Sequence, residues 1–279
     1  MHKAITSGNV AVVTGGASGI GLAAARRFAQ LGLKVCIADL AGAKLDDACA
    51  ELNRAGMNHP VLGVPTDVSD IDQLRALKET VNAEFGAVDV VMNNAGIQPG
   101  SSIFDTEGNW DKIFGVNMWG IIRGSQVFAP DMAATGRPGL IINTGSKQGI
   151  TTPPGDPAYN VTKAGVKTFT EALQHALRNI DGCQVEARLF IPGFVFTPLT
   201  AGDRREKPPG AWTPEQVVDY LFEALQRDDF YILCPDNDVD RATDVKRIAW
   251  AAGDITENRP PLSRWHPDHQ NGFAKWLES

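Results

Sequence analysis

This chain of 279 residues has no long hydrophobic run and no block of basic residues. No apolar stretch approaches the ~20 residues that a membrane-spanning helix requires, so we do not expect a membrane protein. The formal net charge of -7, without a Lys/Arg cluster, gives no electrostatic basis for binding nucleic acid. The expected ligands are therefore small molecules.

Cysteine is also scarce, and its four positions (Cys36, Cys49, Cys183 and Cys234) are widely spaced without a Cys-x-x-Cys motif. The short sequence His266-Pro267-Asp268-His269 has no further ligands nearby, and we predict no metal site. A polar N-terminus leads directly into the first predicted strand and leaves no room for a signal peptide. These features favour a cytoplasmic protein with reduced thiols.

Short apolar runs alternate with longer amphipathic stretches, a pattern typical of parallel strands joined by crossover helices. The length and the 43% hydrophobic content fit one domain over residues 1–279, since no linker divides the chain. We predict an α/β fold with a doubly wound, seven-stranded parallel sheet and helices on both faces, the Rossmann fold. The predicted strands are Val10–Thr14, Lys34–Asp39, Pro60–Thr66, Val88–Asn93, Gly139–Thr144, Gln184–Ile191 and Phe230–Leu233. The predicted helices are Gly19–Gln30, Lys44–Arg54, Asp70–Phe85, Trp110–Met132, Ala158–Asn179 and Pro214–Leu225.

Two segments interrupt this alternation. Residues 199–213 combine Gly and Pro with several charges, which indicates a mobile substrate loop beside the site. Residues 235–279 contain three of the six tryptophans, more large aromatics than a disordered tail normally carries. We expect this tail to dock on its own subunit or on a neighbouring one.

A glycine-rich turn, Thr14 to Gly21, follows the first predicted strand and opens the first helix. Gly15, Gly19 and Gly21 would let the backbone approach a pyrophosphate, and the helix N-terminus offers unpaired N–H groups. The second strand ends at Asp39, where a dinucleotide fold places an acid on the adenosine ribose. A 2'-phosphate would meet a like charge there, so we predict NAD rather than NADP.

The pair Tyr159 and Lys163 predicts acid–base chemistry in the second half of the chain. A tyrosine has an ordinary pKa of about 10, and a fixed positive charge beside it would lower that pKa. Residues four apart on a helix share a face, so Lys163 can provide this charge.

These motifs resemble the short-chain dehydrogenase/reductase family in its single-domain branch, over at least Val10 to Pro198. The resemblance is also carried by Asp67-Val68, Asn93-Asn94-Ala95-Gly96, Gly115-Val116-Asn117-Met118, Ser146 thirteen residues before Tyr159, and Pro192-Gly193-Phe194-Val195-Phe196-Thr197. It implies that the catalytic residues are Asn117, Ser146, Tyr159 and Lys163. It implies that the contacts to NAD come from Gly15, Ser18, Gly19, Ile20, Gly21, Asp39, Leu40, Asp67, Val68, Asn94, Ala95, Gly96, Tyr159, Lys163, Pro192, Gly193, Val195 and Thr197.

The implied activity is interconversion of a secondary alcohol and a ketone by hydride transfer, with Tyr159 as acid/base. Ser146 would bind the substrate oxygen, and Gln98, Gln148, Phe194 and Trp212 follow motif residues closely enough to line the substrate pocket. Their mostly apolar character favours a hydrophobic or ring-containing substrate, while the two glutamines would also suit a polyol. An epimerase or dehydratase on the same fold, or a non-catalytic NAD-binding regulatory protein, are the alternatives.

The resemblance further implies a homo-oligomer, a tetramer or dimer. Asn117 has an alternative interpretation, in which its amide satisfies neighbouring backbone groups rather than serving catalysis.

Overall fold

A seven-stranded parallel sheet forms the centre of the computed structural model, which describes residues 1–55 and 58–278. Its strands run in the order β3-β2-β1-β4-β5-β6-β7. They are β1 (Val10–Thr14), β2 (Lys34–Asp39), β3 (Leu62–Pro65), β4 (Val90–Asn93), β5 (Gly139–Thr144), β6 (Val185–Ile191) and β7 (Tyr231–Leu233). The predicted fold class is confirmed. The strand order reverses between β1 and β4, the position where such sheets bind ligands.

Helices cover both faces of the sheet. They are α1 (Gly19–Gln30), α2 (Ala43–Arg54), α3 (Ile71–Phe85), α4 (Trp110–Phe114), α5 (Gly120–Ala134), α6 (Gln148–Thr151), α7 (Pro157–Arg178), α8 (Pro198–Ala201), α9 (Pro214–Gln226), α10 (Arg241–Thr256) and α11 (Gln270–Glu278). Side chains along β1 alternate between two cores, since successive residues of a strand point to opposite faces. Ala11 and Val13 pack with α1, α2 and α9, whereas Val10 and Val12 pack with α3, α5 and α7.

Helical structure fills the predicted range Trp110–Met132 and continues to Ala134, with an interruption around Asn117. Residues Gly115–Trp119 form a π-helical turn between α4 and α5. The buried Asn117 side chain in this turn accepts the N–H of Ile97 and donates to the Ile97 carbonyl, both at 2.8 Å. A π-helical turn inside a helix often marks a functional site, and here it accompanies a side chain bonded to a separate segment.

β1, β2, β5 and α1 have the predicted bounds, and the other predicted strands and helices differ by one or two residues at their ends. β3 and β4 both begin two residues later than predicted, because pairing with the neighbouring strand decides where a strand starts. β3 lies at the sheet edge and pairs only over the four residues from Leu62 to Pro65, against Cys36 to Asp39 of β2. Asp70 is the N-cap of α3, and its carboxylate accepts the N–H groups of Asp72 and Gln73.

The loop and the tail both carry defined structure. Residues 199–213 begin within α8, and the main chain of Trp212 pairs with that of Phe194 and Phe196 at 2.9 Å. The tail contains α10, α11 and two 3-10 turns, Ser263–Trp265 and Pro267–His269. The Trp250 ring lies 5.4 Å from that of Phe273. No helix in the described part of the chain is both long and apolar enough to cross a bilayer.

Candidate active site

The turn between β1 and α1 packs against the residues that follow β4. Gly15 has φ 64°, and a Cβ on it would lie 2.8 Å from the Ala95 Cα. A Cβ on Gly21 would lie 2.1 Å from the Gly15 carbonyl oxygen. The Thr14 hydroxyl accepts the Asn94 N–H at 3.0 Å and joins the two segments. A side chain at either glycine would therefore force the turn and the sheet apart.

The N-terminus of α1 opens into a cavity of about 670 Å³ beside this turn. Its N-cap, Ser18, makes no side-chain capping bond, so the first N–H groups of the helix have no partner from this side chain. The predicted residues that line the cavity are Gly15, Ser18, Gly19, Ile20, Asp39, Leu40, Asp67, Val68, Asn94, Ala95, Gly96, Ser146, Tyr159, Lys163, Pro192, Gly193, Val195 and Thr197. Gly21 lies behind Gly15 instead. These residues fit a dinucleotide, since a glycine cradle and uncapped N–H groups suit a pyrophosphate.

Asp39 lies at the end of β2 on the cavity wall. Its carboxylate accepts the N–H of Ala17 and of Leu40, each at 2.9 Å. These bonds fix the carboxylate at the place where the β2 chain leaves the sheet. No cationic side chain accompanies it at positions 40 to 42.

Lys163 and Tyr159 lie together on α7, both nearly fully buried. The Lys163 ammonium donates to the Thr144 carbonyl at 2.9 Å and lies 5.7 Å from the centre of the Tyr159 ring. A Cβ on Gly149 would lie 2.4 Å from the Lys163 carbonyl carbon. α6 thus packs directly on α7, which holds Ser146 beside the Tyr159–Lys163 pair.

Burial sets the titration of this pair. It raises the pKa of Tyr159 to about 12, while a hydrogen bond with Ser146 acts in the lowering direction and the Asp156 charge in the raising direction. Burial also lowers the pKa of Lys163 to about 8. We predicted that Lys163 would lower the pKa of the phenol, whereas in the structure burial raises it. At neutral pH the phenol is protonated.

Asn117 lies below the cavity rather than in its wall. Both polar atoms of its amide bond to the main chain of Ile97, which the alternative interpretation describes. Its Oδ1 is 3.5 Å from the position that a Cβ on Gly96 would occupy. Its contacts therefore fix the Gly96-Ile97 segment, and a part in catalysis stays a prediction.

The four other predicted substrate residues, Gln98, Gln148, Phe194 and Trp212, do not line this cavity. The cavity is also lined by Asp111 and Lys112 on α4, which the sequence analysis missed, and by Leu199 and Thr200 on α8, at the start of the segment 199–213 that it placed beside the site. None of them belongs to a recognisable motif. They reach the cavity because the fold brings α4 and α8 to its rim, which no local spacing signals.

Comparison with known proteins identifies relatives over most of the chain. A family model described as short chain dehydrogenase matches residues 9–208. The 1-deoxy-11-beta-hydroxypentalenate dehydrogenase of Streptomyces exfoliatus is 31% identical over 261 residues, which cover 91% of this chain and 93% of that protein. The cis-4-hydroxycyclohexanecarboxylate dehydrogenase of Sinomonas cyclohexanicum is 38% identical over 197 residues, 69% of this chain and 76% of that protein.

A solved structure gives the same result. The crystal structure of a short chain dehydrogenase/reductase from Burkholderia phymatum in complex with NAD superimposes with a TM-score of 0.83. It is 33% identical, and the match covers 94% of this chain and 98% of that one. The likeness thus extends into the tail, beyond the residues that the family model matches.

Proposed function

The chain belongs to the short-chain dehydrogenase/reductase family, and on this premise we propose that it is an NAD-dependent oxidoreductase that interconverts a secondary alcohol and a ketone. The observation that carries the proposal is the buried pair of Tyr159 and Lys163 beside Ser146 on the wall of a cavity suited to a dinucleotide. A regulatory protein that only binds nucleotide has no need for these three side chains together.

Tyr159 exchanges a proton with the substrate oxygen in this proposal. The protonated phenol donates to the carbonyl during reduction and, after losing its proton, accepts the hydroxyl proton during oxidation. Ser146 holds the same oxygen by a hydrogen bond, so that the reacting atoms are positioned before reaction. Lys163, buried and bonded to the Thr144 carbonyl, presents its remaining N–H donors and its charge to the cavity. The bound nicotinamide supplies the hydride acceptor or donor.

We propose a hydrophobic, ring-containing alcohol as the substrate. The relatives described above are dehydrogenases whose names specify hydroxylated acids, one of them explicitly a cyclohexane.

The test is NADH formation by the purified protein with alicyclic, aromatic and sugar alcohols. Turnover of an alicyclic hydroxy acid with a kcat/KM at least about tenfold above that of any sugar alcohol is expected, the effect of about 1.4 kcal/mol of binding energy. Preference for the sugar alcohols would identify a polyol dehydrogenase. Conversion of an alcohol without net NADH would identify an epimerase or dehydratase.

The proposed choice of NAD over NADP rests on Asp39. The wild-type kcat/KM with NAD should exceed that with NADP by about 100-fold, because a like charge beside the 2'-phosphate costs several kcal/mol. Asp39→Ser should narrow this ratio about tenfold, since one charge is removed while a short polar side chain remains. Asp47→Ser, which removes an exposed carboxylate from α2, is the matched control and should leave the ratio unchanged. Equal use of both cofactors by the wild type would contradict the assignment.

A homo-oligomer remains a proposal for this chain. Trp119, between α4 and α5, and Val161 on α7 are apolar side chains that are 44% and 47% exposed in the single chain. Their exposure supports a contact between copies.

A further inference from the structure

A cluster of buried charges connects the tail to the wall of the active site. The Lys147 ammonium lies 2.6 Å from a carboxylate oxygen of Asp244 on α10 and 3.3 Å from one of Asp236, which follows β7. The side chains are only 16%, 5% and 7% exposed, respectively. Both carboxylates lie beyond residue 208, outside the part of the chain that the family model matches.

The cluster touches the segments that carry the predicted substrate contacts. Lys147 follows Ser146 directly in the chain. The Asp236 carboxylate accepts the N–H of Phe194 at 3.1 Å. A Cβ on Gly193 would lie 2.6 Å from the Asp236 carboxylate and 3.0 Å from the Lys147 nitrogen. The ion cluster therefore packs against the backbone behind the cavity wall at two places, one after β5 and one after β6.

The next residue, Asn237, holds the loop of residues 199–213 in a similar way. Its Oδ1 accepts the indole N–H of Trp212 at 3.0 Å. Its amide nitrogen donates to the carbonyls of Pro209 at 2.6 Å and Ala211 at 3.2 Å. Trp212 in turn pairs with the Phe194 main chain, so Asp236 and Asn237 hold adjoining segments next to Gly193 and Val195, which line the cavity.

Stability alone does not account for such a cluster. Burying two carboxylates and an ammonium costs hydration free energy, which their mutual attraction only partly offsets. Apolar residues of similar size often stabilise a fold equally well. A buried ion cluster does fix the relative positions of the segments that carry it, because the charged groups must lie at defined distances from one another. In this chain the geometry that it fixes is that of the segments around Ser146 and Phe194.

We propose that Asp236 and Asn237 are positioning residues for the alcohol substrate. Asp236 acts through Lys147 and Phe194, and Asn237 acts through Trp212, so that the tail determines the shape of the substrate side of the cavity. The identity of the substrate rests on the proposed function. The positioning itself is a property of the fold and can be measured without turnover.

The kinetic test is Asp236→Asn, which keeps the shape of the side chain and removes its charge. The KM for the alcohol should rise about tenfold with a smaller fall in kcat, as expected for a lost charge-assisted contact. The Kd for NADH should stay within about twofold, a change below 1.4 kcal/mol. Asp219→Asn, which makes the same chemical change at an exposed position on α9, is the control and should behave as the wild type. An unchanged KM, or a Kd for NADH that rises in parallel with the KM, would overturn the proposal.

A second pair of variants tests the same proposal if Asp236→Asn folds poorly. Trp212→Phe retains an aromatic ring and removes the indole donor, and Asn237→Ala removes the acceptor. Each should raise the KM about threefold or more, and Asn237→Ala should have the larger effect because it also removes the bonds to Pro209 and Ala211. The double variant should be no worse than Asn237→Ala alone, because that variant already lacks the bond to Trp212. Additive effects in the double variant would show that the bond does not act on the substrate.

Hydrogen exchange provides the readout that does not depend on activity. Exchange of the amides in residues 146–151 and 193–212 should accelerate in Asp236→Asn and not in Asp219→Asn. Unchanged exchange in both segments would overturn the positioning role whatever substrate the enzyme uses. Accelerated exchange together with a wild type that oxidises no alcohol would instead retain the positioning and refute the proposed function.

Discussion

Tyr159→Phe should reduce kcat by about 10³-fold or more in both directions, since a positioned acid or base contributes about 10²–10⁴-fold and this variant leaves no proton donor on the ring. The Kd for NADH should stay within about twofold, because the substitution removes one hydroxyl and keeps the buried ring in place. Stopped-flow turnover with the alcohol found by screening, together with a fluorescence titration of NADH, measures both quantities.

The pH dependence of turnover by the wild type tests the same role of Tyr159. Burial raises the pKa of Tyr159 to about 12, so the phenol is protonated at neutral pH and ready to donate. Reduction should therefore change little between pH 6 and about pH 8, whereas oxidation needs the deprotonated phenol and should accelerate as pH rises. The residual activity of Tyr159→Phe should lack this acceleration. A variant with near-wild-type kcat on the same alcohol would refute Tyr159 as the acid/base.

Ser146→Ala serves as a comparison rather than a neutral control. It removes the hydrogen bond that lowers the pKa of Tyr159 and leaves the phenol itself. Its loss of kcat should be smaller than that of Tyr159→Phe, because a positioned substrate oxygen is lost but the proton donor remains. The ranking of the two variants therefore separates proton transfer from positioning.

The residues whose position on the cavity wall the sequence predicts lie within short segments. Tyr159 and Lys163 are four residues apart on a helix, and the turn from Thr14 to Gly21 joins a strand directly to a helix, so local geometry places these groups. The parallel order of the strands then brings both to the same edge of the sheet. Spacing along the chain is sufficient for such residues.

Contacts between distant segments could not be predicted in this way. The bond from the Phe194 N–H to Asp236 spans 42 residues, and the Lys147–Asp236 pair spans 89. No periodicity links these positions, and the ion cluster becomes visible only after β6 and β7 are placed side by side. The π-helical form of the interruption at Asn117 could not be predicted for a related reason. It depends on the Ile97 main chain, while the local pattern is simply that of a helix.

The pKa of the phenol was predicted in the wrong direction because the sequence indicates the neighbour but not the degree of burial. Lys163 lies beside Tyr159, as their spacing of four residues predicts. Both side chains, however, are nearly excluded from water, and loss of hydration disfavours the phenolate and the ammonium alike. A buried ammonium that is poorly hydrated destabilises the folded chain as long as it carries its charge.

Lys163→Met should be inactive, with a kcat/KM lowered about 10³-fold, since it removes the charge and donors beside the reacting atoms. The Kd for NADH should rise about tenfold, as expected for a lost hydrogen bond from a charged group. Methionine keeps most of the buried volume, which limits the effect of a cavity. Lys167→Met, at a half-exposed position one turn further along α7, is the control and should retain activity.

The free energy of unfolding distinguishes the wild type from Lys163→Met independently of activity. Burial lowers the pKa of Lys163 to about 8 in the folded chain, whereas an unfolded lysine releases its proton near pH 10.4. Between about pH 8 and about pH 10 the unfolded state therefore binds more protons, and the stability of the wild type should rise with pH relative to the variant. Denaturant unfolding across this range measures the difference. Parallel pH profiles for the two proteins would mean that Lys163 keeps an ordinary pKa in the fold, and would contradict the lowering of its pKa by burial.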